Sequence, residues 1–273
     1  MNDSASGYQR IQLDIADGVA WITFDLPRFG NALDLAGVEE VVDALARAEA
    51  RDDVGAVVLT GSGRHFCSGF NLREVPSPDD VRDVVEHFRT AAWWWHRLLE
   101  GIIRLPKPVL AAVNGAAAGS GLGMVLCSDL AVCAESARFL CAWHAIGIAN
   151  DATTSYSLAK IVGFRRAMEL MLTNRTLDAR EALEWGLVNR VFPDAELDAQ
   201  VRRIARQLAE APTHLQAAAK ESFHRGWRMA VEETTAMEIR NVLRSLEDPA
   251  FADRLRAFLR HETKSDRPLV DLG

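Results

Sequence analysis

The 273-residue chain has no run of eighteen uninterrupted apolar residues, so a membrane-spanning helix is not expected. Its opening residues, MNDSASGYQR, hold an acid and lack an apolar centre, which argues against an export signal. Cysteine is scarce: Cys67, Cys127, Cys133 and Cys141 form no CxxC pair and stand in apolar company, as buried thiols of a reducing compartment do. A cytoplasmic protein is the expectation. Clustered positive charge is lacking too. With a net charge of −7 and only scattered Arg and Lys there is no basic field to release counterions, so neither nucleic acid nor membrane is expected as a partner. Low-complexity segments, long linkers and internal repeats are also missing. What remains is a chain with 49% apolar residues, enough to bury a substantial core.

Alternation through IQLDIADGVAWITFDL, broken at Asp17-Gly18, predicts a β-hairpin. From Asp34 to Ala50, Val38, Val41, Val42 and Leu45 recur at helical spacing, and VGAVVLTG then reads as a buried strand. A long helix is predicted after Pro78, with Val81, Val84, Val85, Phe88, Ala92, Trp95, Leu99 and Ile102 as its apolar stripe. Pro106 and Pro108 end it. VLAAV and SDLAVCA read as further strands. From about Thr154 the chain is mainly helical, with breaks near Gly163, Asn174, Gly186 and Pro212.

Two glycine loops follow strands. In GRHFCSGFNLRE, Gly69 allows a tight turn that leaves the amide of Phe70 free to point outward. In GSGLG, residues 119–123, a short helix opens and its first amides lack partners. Together these amides suit one oxygen atom, although plain turn geometry explains such loops equally well. A dinucleotide fingerprint is the rival reading of the second loop. It fails, because Met124 stands where the last glycine of GxGxxG belongs and the loop lies mid-chain.

FCSGFNL and NGAAAGSGLGMVLCSD, separated by a long helix, resemble the two signature segments of the crotonase, or enoyl-CoA hydratase/isomerase, superfamily. FCSGFNLREVP, WWWHRLLEGIIR, CAWHAIGIANDATTSYSLAKIVGFRRAMELMLTNRT and APTHLQAAAKESFHRGW are similar to its aryl-CoA dehalogenase branch, and the likeness runs from about residue 10 to the C-terminus. The resemblance implies an α/β fold, a crotonase-like spiral of ββα turns over residues 1–211 carrying the CoA and aryl site. Residues 212–273 would form a helical region for trimerisation and site capping. It implies a homotrimer, and an aryl-CoA thioester as the substrate, with CoA part of that substrate and no cofactor or metal besides. An oxyanion hole would come from the amides of Phe70 and Ser120, shaped by Gly69, Gly119 and Gly121. The superfamily usually has glycine where this chain has Ser120.

The implied reaction is hydrolytic dehalogenation of 4-chlorobenzoyl-CoA to 4-hydroxybenzoyl-CoA. By itself Asp151 reads as a solvated loop residue, His96 as a buried histidine on the helix stripe, and Trp143 as core. The resemblance instead makes Asp151 the nucleophile that attacks the ring. Trp143 becomes the indole donor that holds it, and His96 the base that activates water against the resulting aryl ester. Phe70, Phe88 and Trp95 become the walls of an aromatic slot. Arg73, and more loosely Lys264 and Arg28, would bind CoA phosphates; an arginine is expected at residue 30, where this chain has Gly30. The two glutamates of the hydratase branch would fall at Gly123 and Trp143, so no carboxylate pair remains to hydrate a double bond. Two alternatives stand beside this: another aryl-CoA reaction, such as that of a hydroxycinnamoyl-CoA hydratase-lyase, and a non-catalytic acyl-CoA binding protein.

Overall fold

Ile11–Ala16 (β1) and Val19–Phe24 (β2) pair antiparallel, with Ala16 opposite Val19. The turn between them, Asp17 at φ 55° and Gly18 at φ 75°, matches the right-handed twist of the strands, as Asp-Gly predicts. The computed structural model describes residues 7–77, 80–260 and 269–273. Asp34 caps the helix Leu35–Ala50 (α1) by accepting from the Gly37 amide at 2.6 Å. From here the chain repeats one motif three times: strand, short strand, helix. The turns are Ala56–Gly61 (β3), His65–Cys67 (β4) and Val81–Arg104 (α2); Val109–Val113 (β5), Ala116–Ala118 (β6) and Ser120–Cys127 (α3); Leu130–Ala134 (β7), Arg138–Leu140 (β8) and Thr154–Val162 (α4).

The first strand of each turn joins one sheet and the second joins another. The larger sheet runs β1-β2-β3-β5-β7-β10 and the smaller β4-β6-β8-β9, where β9 is Leu177–Asp178 and β10 is Arg190–Phe192. From β2 onward the large sheet is parallel, and β3 and β5 are near-continuous apolar runs because both faces of the sheet are covered. One face packs on α1, α2 and α3, where Leu59, Phe66, Leu98, Leu99 and Ile102 are fully buried. The other face is covered by Leu197–Glu210 (α7), whose Val201, Ile204 and Leu208 pack with Val58, Leu110 and Val132. Phe164–Thr173 (α5), Ala179–Glu184 (α6), Thr213–Gly226 (α8), Val231–Leu246 (α9) and Phe251–Leu259 (α10) complete the chain. The ββα spiral is the expected α/β fold.

Three expectations need correction. The loop read at GRHFCSGFNLRE contains β4, the half read as helical contains β9 and β10, and β6 and β8 form where no strand was read; each is two or three residues long and too short to show alternation. The stripe of α2 is buried only from Ala91 onward, while Val81 and Val85 are exposed. His96 lies off that stripe: it follows buried Trp95 but points to the exposed side of the helix.

Candidate active site

The turn that leaves β4 and the start of α3 meet face to face. Gly69 has φ +93°, a conformation that only glycine adopts without strain, and a Cβ there would lie 2.9 Å from the Ser120 amide nitrogen. The loop is pinned by parallel bonds to Leu33, whose amide donates to Gly69 at 2.9 Å and whose carbonyl accepts from Asn71 at 2.9 Å. Phe70 sits between those two anchors, and its own amide has no acceptor among the described residues. Ser120 is the first residue of α3. Its amide likewise has no acceptor there, and the Gly119 cap supplies no side-chain partner. Gly121 lets the helix approach β4 closely, since a Cβ would collide with the carbonyl of Cys67.

Phe70 and Ser120, which carry these two amides, both line one cavity of about 130 Å³. Its walls bring together Phe70, Phe88, Trp95, Gly119, Ser120, Trp143 and Asp151, which are dispersed through the sequence. Phe70 meets Phe88 edge-on, with ring centroids 5.8 Å apart. Phe88, Ala91, Ala92 and Trp95 project from one side of α2, the two alanines leaving the space that the aromatics enclose. Leu72, Ile146 and Ile148 line both this cavity and an adjoining apolar opening of about 420 Å³. Ser68, Ala142 and these isoleucines were not singled out from sequence. The alanines had a signal in the 88, 91, 92, 95 spacing, whereas the isoleucines belong to an irregular loop and had none.

Asp151 reaches the cavity from the loop before α4. Ala152 and Thr153 follow it at φ 54° and 61°, a left-handed pair that β-branched and alanyl residues seldom adopt. The amide and hydroxyl of Thr154 both donate to the Asp151 carbonyl, at 3.1 and 2.6 Å, and hold this turn. The carboxylate Oδ1 hydrogen-bonds His96 Nε2 at 2.7 Å. His96 is not a cavity wall; its side chain is 50% exposed, so the expectation of a buried histidine is replaced by one that touches Asp151 from a solvent-open side. The expected bond from the Trp143 indole to Asp151 is not formed: His96 engages the carboxylate, and the indole N–H has no acceptor among the described residues.

Arg73 stacks over the Phe29 ring with its guanidinium carbon 5.0 Å from the centroid, beside Arg28 in the turn Pro27–Phe29. Gly30 is left-handed at φ +63°, and a Cβ there would stand 3.1 Å from Ser68 Oγ, so an arginine at this position would be strained. Lys264 lies outside the described residues. At the two hydratase positions, Trp143 lines the cavity and Gly123 is pressed against Ala152. A Cβ at 123 would fall 2.7 Å from the Ala152 Cβ and 2.8 Å from its carbonyl oxygen.

The ββα spiral, with two glycine-turned loops that carry unpaired amides among the described residues and meet beside one cavity, is matched by a known family. The match covers residues 14–263, and the chain belongs to the enoyl-CoA hydratase/isomerase family. Two 4-chlorobenzoyl coenzyme A dehalogenases of Arthrobacter are each 48% identical to it over 98% of this chain and 97% of theirs. A crystal structure of an enoyl-CoA hydratase from Bacillus anthracis superposes with a TM-score of 0.86 at 30% identity, over 93% of this chain and 97% of that one. Among the described residues no helix is long and apolar enough to cross a membrane.

Proposed function

We propose that this protein is a hydrolytic dehalogenase that converts 4-chlorobenzoyl-CoA to 4-hydroxybenzoyl-CoA. The observation that carries the reading is the carboxylate of Asp151 in an aromatic cavity, 2.7 Å from an imidazole, while the backbone that delivers it fills the space beside Gly123. A hydratase acid at residue 123 and the Asp151 loop exclude each other. The similarity to the Arthrobacter dehalogenases supports the same reaction.

Asp151 attacks the ring carbon para to the thioester, and negative charge spreads to the thioester oxygen. The amides of Phe70 and Ser120, with the positive end of α3 behind them, roughly half a unit charge, stabilise that oxygen. The carbon–chlorine bond breaks and chloride leaves with its electron pair. Water then adds to Cγ of the aryl ester as His96 takes one of its protons. The ester bond to Cγ breaks, so the ring keeps an oxygen of Asp151 and the carboxyl keeps the oxygen of water. The phenolate takes the second proton, and His96 releases the first. Chloride is exchanged for hydroxyl with no change of oxidation state, so the chemistry calls for no redox group. Trp143, with its N–H unpaired in the same cavity, would hold Asp151 during this sequence. Arg73, stacked on Phe29, and Arg28 beside it would bind CoA phosphates, as would Lys264. The apolar outer sides of α9 and α10, with Ile239, Val242, Leu243 and Leu259 exposed, support a homotrimer closed by residues 212–273.

The test is chloride release on incubation with 4-chlorobenzoyl-CoA; none above background sinks the reading. His96→Gln should still release about one chloride per site and then accumulate a protein whose mass is raised by the aryl acyl-CoA group on Asp151. Normal turnover in that variant would remove His96 from its role.

A further inference from the structure

His96 stands between two cavities. Asp151, which it hydrogen-bonds, lines the aryl cavity, whereas His96 itself lines a separate groove of about 470 Å³ between α1 and α2. That groove is walled by Val42, Leu45, Ala46 and Glu49 from α1 and by Trp93, Gly101 and Arg104 from α2, a mixture of apolar and charged groups. The opening next to the aryl cavity is formed by Leu72, Val75, Phe88, Ile146 and Ile148, all apolar. Resting on the function proposed above, the hydrolytic half of the reaction poses a problem of access. While the ring is esterified to Asp151, the acyl group and its thioester arm fill the slot and its apolar mouth. Water must still reach Cγ, and the proton taken by His96 must still leave.

We propose that the groove between α1 and α2 is the route by which hydrolytic water reaches His96 and by which its proton departs, separate from the mouth that admits the thioester. The half-exposed ring of His96 is the gate, with one nitrogen on Asp151 and the rest of the ring toward the groove. Glu49, Glu100 and Arg104 give the water polar partners along the way, as an ordered water needs.

Gly101 makes the route testable. It is helical and lines the groove, and a Cβ added there meets nothing nearer than Leu45 Cδ1 at 3.8 Å, so the position accepts a Cβ from which a larger side chain extends. Gly101→Leu, and Ala46→Phe from the opposite wall, should plug it without touching the slot. In rapid-quench single turnovers the chloride burst should keep its wild-type rate. Hydrolysis should slow by about tenfold or more, so that arylated Asp151 accumulates as an intermediate detectable by mass. Gly101→Ala, which leaves the groove open, should behave as wild type. Hydrolysis at the normal rate in both plugged variants overturns the route, and so does a chloride burst slowed in step with hydrolysis. Two variants on two helices guard against a local folding defect in either. Absence of a chloride burst in the wild-type protein would count against the dehalogenase reading instead.

Discussion

At Gly69 a Cβ would lie 2.9 Å from both the carbonyl of Ala118 and the amide of Ser120, and φ is +93°. Any side chain there pushes the two proposed oxyanion donors apart. At Ser120 the situation is reversed, because what the reaction would use is the main-chain amide at the start of α3, and the side chain is accommodated in the cavity wall. Gly69→Ala should therefore lower kcat for chloride release by about 100-fold, with a smaller change in KM, since the loss falls on charge that develops in the transition state. Ser120→Gly should keep most of the rate. Steady-state chloride release separates the two; an equal loss in both would assign the donor to the Ser120 hydroxyl. The glycines were legible in the sequence because a backbone that must turn or approach closely leaves that signature. The partner of Asp151 was not legible, since His96 and Trp143 each supply a suitable N–H and only the path of the chain decides between them.

The elements show the same division. Hairpin, α1, β3, α2 and β5 were legible because each is long enough to display its period, whereas β9 and β10, of two and three residues, are defined by their neighbours in the sheets. The attachment of α8 was equally hidden. Lys220 Nζ, on a side chain only 7% exposed, donates to the carbonyls of Ile102 and Lys107 at 2.8 and 3.2 Å and to Asp129 Oδ2 at 2.7 Å. Asp129 in turn accepts the Val109 amide at 2.8 Å, so one ion pair ties α8 to the end of α2 and the start of β5. Burial lowers the Lys220 pKa, which shows that the charge is held against a desolvation cost. Lys220→Met leaves Asp129 without its main counter-charge and should destabilise the protein by about 3 kcal/mol, the low end for a broken buried pair because Asp129 keeps an amide donor. Adding Asp129→Leu should recover part of that loss. Thermal unfolding of the two variants checks it; an additive further loss in the double variant would show that the pair is not coupled.

For the whole molecule, the four cysteines expected to be buried thiols are all free and buried, spread from β4 through α3 and β7 to the residue after β8. Burial disfavours their thiolates and raises Cys67 and Cys133 to about 12 and Cys127 and Cys141 to about 11, from an ordinary 9.0. An acid whose folded value is raised adds stability that is present below its unfolded value and is lost as pH rises through the folded one, because the unfolded chain gives up the proton first. Here that window opens at 9.0 and extends to about 11 to 12. Tyr8, raised from 10.0 mainly by burial and by its hydrogen bond to Asp43, acts in the same direction. Lys107 and Lys220, lowered from 10.5 by burial, act oppositely, since stability from a depressed base rises with pH, but their effect ends at 10.5. Five groups therefore oppose two, and above 10.5 nothing offsets them. The melting temperature, followed in the presence of a reductant, should fall once pH passes about 9 and fall most steeply beyond 10.5. In the same range below 9, a disulfide reagent should label the native protein slowly and the unfolded chain at all four thiols. Rapid labelling of the native protein at neutral pH, or a melting temperature unchanged between pH 9 and 11, would show that these thiols are not held protonated by the core.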